Sequence, residues 1–189
     1  MAIGLVGSEM CIRDSCLVWP EFRRAPKSIE KLRGDPKALG LAIREHIKFM
    51  IDNFDYPVTE WDVLNEAVNH DQYMRILGKE AVREWFQLVK NLNPGIKKYI
   101  NDYSVLTKNN VRHRKRYYRY IRNLLDSGVP IDGIGFQSHI PKGFNPTPPE
   151  DIIRIADDFS NLGPELQVTE FDFDCLLYTS DAADEQQRG

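Results

Sequence analysis

Residues 61–67 read WDVLNEA, the close of a strand-like run over 56–64 that delivers Glu66 just past its end. A carboxylate placed there loses solvation, and a strand end seldom carries one without a task. Upstream, Leu39, Ile43, Ile47, Met50, Ile51 and Phe54 share one helical face, with Asp35 as N-cap and Pro36 in the first turn. Downstream, Val82, Trp85, Phe86, Val89 and Leu92 recur at helical spacing, with Gly95 as the expected stop, and 96–106 predicts a strand. A helix through Tyr117, Ile121, Leu124 and Leu125 ends at Gly128, and 131–137 is a short strand. Ile152, Ile155, Ala156, Phe159 and Leu162 mark another helix, closed by Gly163 and Pro164, before a final strand at 166–171. From Tyr56 the order is β, α, β, α, β, α, β. That order argues for an α/β fold, a parallel sheet with helices outside it.

Polar side chains mark the strand ends. Glu66, Asp102, His139 and Glu170 lie at or near them, at separations of 36, 37 and 31 residues. A (β/α)8 barrel of ~250 residues allots about 31 to each unit and collects such positions at one face. A doubly wound sheet also gathers ligands at strand ends, so spacing alone leaves both architectures open.

Composition narrows the function. The 189 residues are 42% hydrophobic and 28% charged, with a net charge of −3, which gives no global pull toward nucleic acid or an anionic membrane. No apolar run approaches the ~20 residues of a membrane span. The basic run Arg112, His113, Arg114, Lys115, Arg116, Arg119 and Arg122 reads as the solvated face of a helix whose other face is apolar. His46, His70 and His113 lack paired ligand spacing, and neither HExxH, CxxC nor a phosphate-cradling glycine loop occurs, so no metal and no cofactor is expected. The cysteines, Cys11, Cys16 and Cys175, crowd at the ends and make no disulfide framework.

Two strand-end glutamates remain, Glu66 in WDVLNEA and Glu170 in QVTEFD. Each alone could be one half of a buried ion pair. Together, with His139 between them in the chain, they are the pair that glycoside hydrolysis needs, one carboxyl to protonate the leaving oxygen and one to attack the anomeric carbon.

In order along the chain, LVW (17–19), WDVLNEA, INDY (100–103), GIGFQSH (133–139) and VTEFD (168–172) resemble glycoside hydrolase family 10, the retaining endo-β-1,4-xylanases. The resemblance implies a partial (β/α)8 TIM barrel with five of eight strands present, the third to the seventh. It implies Glu66 as acid/base and Glu170 as nucleophile. Asn65, Gln137, His139, Trp19 and Tyr103 become sugar contacts, while Asp172 and Asp102 support them from behind. Simple core packing is the alternative weighed for Trp19 and Tyr103. A polysaccharide substrate, a monomer and secretion are the further expectations, the last because polymeric xylan cannot enter a cell. Another β-glycanase on the same barrel and a non-catalytic carbohydrate-binding barrel remain alternatives. Three positions depart from the family: Ser15 where a histidine is usual, Pro20 where many members carry a polar residue, and Phe171 for the common leucine.

The ends do not match the middle. VGSEMCIRDS (6–15) and CLLYTSDAADE (175–185) resemble translated sequencing adapter, so 1–15 and 175–189 are set aside as non-native and 16–174 is taken as the domain. With five strands where a closed barrel has eight, the 189-residue chain by itself is expected to be neither stably folded nor active.

Overall fold

The computed structural model describes residues 12–14, 16–53, 58–140 and 146–173. Phe54, Tyr56, Cys11, Ser15 and Cys175 lie outside them, as does most of the two segments set aside above. The strands are β1 (Ile12–Asp14), β2 (Val58–Asn65), β3 (Lys97–Asp102), β4 (Gly133–Phe136), β5 (His139–Ile140), β6 (Glu165–Val168) and β7 (Asp172–Phe173). The helices are α1 (Lys27–Glu30), α2 (Pro36–Asp52), α3 (Gln72–Leu77), α4 (Glu80–Leu92), α5 (Val111–Asp126) and α6 (Pro149–Ser160).

One parallel sheet runs β1-β2-β3-β4-β6, and β5 pairs with β7 beyond the ends of β4 and β6. Each strand adds on the same side of its predecessor. The order never reverses, so there is no switch point of the kind a doubly wound sheet has. This is a curved wall of βα units, an α/β fold forming part of a (β/α)8 barrel. The chain at 17–19 continues the first strand: Leu17 and Val18 donate to Asp62 O and Val63 O of β2, and Val18 pairs with Leu64. β1 itself lies inside the first segment set aside; main-chain pairing of this kind is indifferent to side-chain identity.

Local chemistry explains most boundaries. Asp35 Oδ1 accepts from Ala38 N at 2.9 Å and opens α2, whose Leu39, Ile43 and Ile47 are buried. Gly128 takes φ 76° two residues after α5, where a side chain would be strained. Two expectations shift. The helix α4 stops at Leu92 rather than at Gly95, because Asn93 precedes Pro94 and is pushed into extended backbone; its Oδ1 then accepts from Gly95 N. The strand expected over 96–106 ends at Asp102, where Asp102 Oδ1 caps Tyr103 N and Ser104 turns to φ 53°. α1, α3, β5 and β7 are elements that hydrophobic spacing did not announce.

The helix side of the sheet holds the apolar core, including Trp61, Ile100, Ile134 and Phe136 with Trp85, Phe86, Tyr117 and Phe159. Phe136 meets Phe159 edge-on at 5.2 Å, and the Tyr117 hydroxyl donates to Ile100 O at 2.8 Å. The other face is polar. There Tyr99 reaches Glu165, and Asn101 reaches Asp62 and Glu170. Gly135 admits Asn101, since a Cβ at that position would clash with the amide and with Thr169. Among the described residues β6 pairs with β4 alone, and Val168 and Phe171 are exposed.

Candidate active site

The strands deliver Glu66 and Glu170 to one end of the sheet. Glu66 follows β2 in a left-handed conformation, φ 54°, and its N donates to Asn101 O of β3. Such backbone costs of order 1–3 kcal/mol at a non-glycine residue and persists where the surroundings over-determine it. Ser104 and Ser138 take the same conformation just past β3 and β4, so among the described residues such non-glycine strain falls at the strand exits. Glu66 is buried: its Oε1 accepts from Gln137 Nε2 at 2.9 Å, and His70 Nε2 lies 3.3 Å from its Oε2. Burial pushes the Glu66 carboxyl above its ordinary value. The Gln137 hydrogen bond pulls it back, Asp102 adds to the rise, and His70 and Arg24 oppose it.

Glu170 sits differently. Its N donates to Gln137 O, its Oε1 accepts from Asn101 Nδ2 at 2.8 Å, and His139 Nε2 stands 3.1 Å from its Oε2. The other ring nitrogen of His139 is 2.8 Å from Asp172 Oδ2. Burial pulls the His139 imidazole down, but the bonds to Asp172 and Glu170 outweigh it and leave the group above its ordinary value. The Glu170–His139–Asp172 chain is therefore held by charge at both ends.

Gln137 joins the two halves, its side chain on Glu66 and Asn65 and its carbonyl on Glu170 N. Trp19 stands beside Glu66 through His70, with ring centroids 6.4 Å apart, and Arg24 lies over its indole at 4.7 Å. Tyr103 stacks on His113 at 5.0 Å and takes a hydrogen bond from Asn69. Asp102 is fully buried behind the sheet, its Oδ1 held by His113 Nε2 at 3.1 Å, so it supports the strand exit from the helix side. All nine expected residues thus lie at the strand ends, Asp102 and Tyr103 at the exit of β3 with His113 against them.

Sequence reading passed over several neighbours. His70 and Glu21 both lie against the Glu66 side, and Asn101, Asp62 and Thr169 brace Glu170. His113 is buried and Arg114 half-buried, donating to Val105 O and Thr107 O, so these two leave the solvated face assigned to the basic run. Helical spacing carried the clue: His113 falls in line with Tyr117 and Ile121, four residues apart each. Cys16 is a free thiol that burial, with Asp62, pushes up to about 12. A cavity of about 660 Å³ between α4 and α5 has neither glutamate in its wall, and its Arg83 and Arg116 already donate to Ser127 O and Val68 O.

Fold and centre together define the class, a (β/α)8-barrel protein with two carboxyls at its strand exits. The chain belongs to glycosyl hydrolase family 10, whose sequence profile matches residues 6–188. It is 34% identical over 173 residues to a β-1,4-xylanase of Dictyoglomus thermophilum, covering 86% of this chain and 46% of that protein. It is 30% identical to the exoglucanase XynX of Acetivibrio thermocellus, over 69% of this chain and 13% of that protein. Among solved structures, xylanase 10B of Thermotoga petrophila RKU-1 in complex with xylobiose superposes with a TM-score of 0.73 at 30% identity, covering 86% of this chain and 50% of that one. The chain thus spans half the length, or less, of these relatives.

Proposed function

We propose that the protein of which this chain is part is a retaining endo-β-1,4-xylanase. The observation that carries the reading is the pair of strand-exit glutamates in contrasting settings, one buried with its carboxyl pushed toward the protonated form, one held by donors on both oxygens. The xylanase relatives supply the substrate class. In the first step Glu170 attacks the anomeric carbon, the glycosidic bond breaks, and Glu66 gives its proton to the departing oxygen. In the second, Glu66 takes a proton from water, the water oxygen bonds to the anomeric carbon, and Glu170 leaves as a carboxylate. Gln137 engages Asn65 Oδ1, which leaves the Asn65 amide to donate to the 2-hydroxyl of the sugar being cleaved. His139, held by Asp172, keeps Glu170 aimed, and Trp19 and Tyr103 offer aromatic faces to the pyranose rings. The chemistry asks for no cofactor. Export follows from a polymer too large to enter a cell, and residues 16–174 form the part of the domain present.

Proton NMR of xylan hydrolysis by the full-length enzyme tests the reading: the first product should carry the β configuration. Initial release of the α anomer would overturn it. The XynX relative favours a second reading, activity on glucan, and parallel assays on xylan, glucan and mannan separate the two. The 189-residue chain by itself should show neither a cooperative melt by circular dichroism nor turnover.

A further inference from the structure

The turn that carries Glu66 also reaches Tyr103. Asn69 lies three residues past Glu66, its N donating to Glu66 O at 3.3 Å, so its place is set by the left-handed exit from β2. Its side chain crosses to the exit of β3. There Asn69 Nδ2 donates to the Tyr103 hydroxyl at 2.5 Å and faces His113 Nδ1 at 3.3 Å.

A side-chain amide can present either end, and Arg116 of α5 settles which. Its Nη1 donates to Asn69 Oδ1 at 2.9 Å and its Nη2 to Val68 O at 2.5 Å, so the guanidinium grips the turn at two neighbouring residues. A guanidinium only donates, so it claims the amide oxygen and leaves the nitrogen end for Tyr103 and His113.

Tyr103 is consequently pinned at both ends. Its N donates to Asp102 Oδ1 at 2.8 Å, and its hydroxyl is held by Asn69. His113 stacks on one face, with centroids 5.0 Å apart and planes 28° apart, and its Nε2 is itself 3.1 Å from Asp102 Oδ1. A sugar can therefore meet only the other face of this half-buried ring. Stacking fixes the separation of two rings but lets them slide. The hydroxyl bond removes that freedom, because it holds the end of the side chain farthest from the backbone. A ring ordered before the ligand arrives spares the complex the cost of ordering it.

We propose that Asn69 is a positioning residue for Tyr103: oriented by Arg116, its amide fixes the phenol ring, so that the face offered to a sugar keeps a set place relative to the Glu66 carboxyl. The proposal rests on the sugar-contact reading of Tyr103. Asn69 acts through the ring and not on the reacting atoms.

The test is a double-mutant cycle in the full-length enzyme, read as kcat and KM on xylo-oligosaccharides. Asn69→Ala and Tyr103→Phe should each lower kcat/KM by about threefold to tenfold, chiefly through KM, since each deletes the same hydrogen bond and keeps the ring. Asn69→Ala placed in the Tyr103→Phe background should then raise KM no further. Additive losses, or an unchanged KM in folded Asn69→Ala, overturn the proposal. Arg116→Met carries the test should Asn69→Ala not fold. It should raise KM when Tyr103 is present and leave it unmoved in Tyr103→Phe, and an equal rise in both backgrounds overturns the proposal too. Tyr103→Ala is the control and should raise KM more than Tyr103→Phe does. An unchanged KM in that variant would remove the sugar contact of Tyr103, and this inference with it.

Discussion

The surroundings of Glu66 and Glu170 differ although the residues are chemically alike. Glu66 lies in the interior of the wall, between the first strand and β3, with a side chain 11% exposed. Glu170 follows β6, which has one neighbour among the described residues, and its side chain is 32% exposed. The first setting is made by burial, the Gln137 amide and His70, the second by the Asn101 amide and an imidazole held between two carboxylates. The same residue type thus meets two electrostatic environments on one sheet, the kind of difference that lets environment rather than residue type set a carboxyl's role.

The largest expected effect breaks the comparison at its exposed side. Glu170→Ala in the full-length enzyme should lower turnover of xylan by ~10⁴-fold or more, since the attacking group is gone. In the unaltered enzyme a 2-fluoro-xylobioside with a good leaving group should label Glu170, and peptide mass spectrometry finding the label on Glu66 would exchange the two roles. Next, Glu66→Ala should cost ~10²–10⁴-fold on xylan but little in glycosylation by activated aryl substrates, which depart unprotonated. Azide should restore turnover as the β-glycosyl azide.

A third variant, Gly135→Ala, tests whether the Glu170 setting depends on the Asn101 amide. The added methyl meets Asn101 and Thr169, so roughly 1–3 kcal/mol of stability should go, with slower glycosylation of Glu170, read by thermal melting and burst kinetics. The smallest effect concerns His139. Its raised folded-state value means that the charged bridge contributes fully below the ordinary histidine range and is lost as pH rises through the raised value. Asp172→Asn removes one carboxylate, so imidazole NMR should show His139 titrating at lower pH, with only a slight change in stability because the ring is largely exposed.

What the sequence disclosed and what it hid have a common physical source. Strand exits carrying Glu66, Gln137, His139 and Glu170 are local events, written in an apolar run followed by a polar group. The helical faces of α2, α4 and α5 are likewise local. Glu21 and His70 were invisible because the hydrogen bond from Phe22 N to the Gln72 side chain joins segments 50 residues apart, and no short-range period records it. His113 was hidden by its neighbours, since four cations around it mimic a solvated face while its own position points inward to Asp102. The bulge between Asp62 and Leu64 blurs the strand's alternation, so inward and outward residues of β2 could not be told apart by parity.

Gln137 has a consequence for how such a protein can diversify. Its amide contacts one glutamate while its carbonyl receives the N–H of the other, so the separation of the two is gauged by a single residue. The loops beyond the strand exits are then free to lengthen, shorten or change composition without resetting that gauge. A change at the rim would then leave the spacing of the two carboxyls as it is.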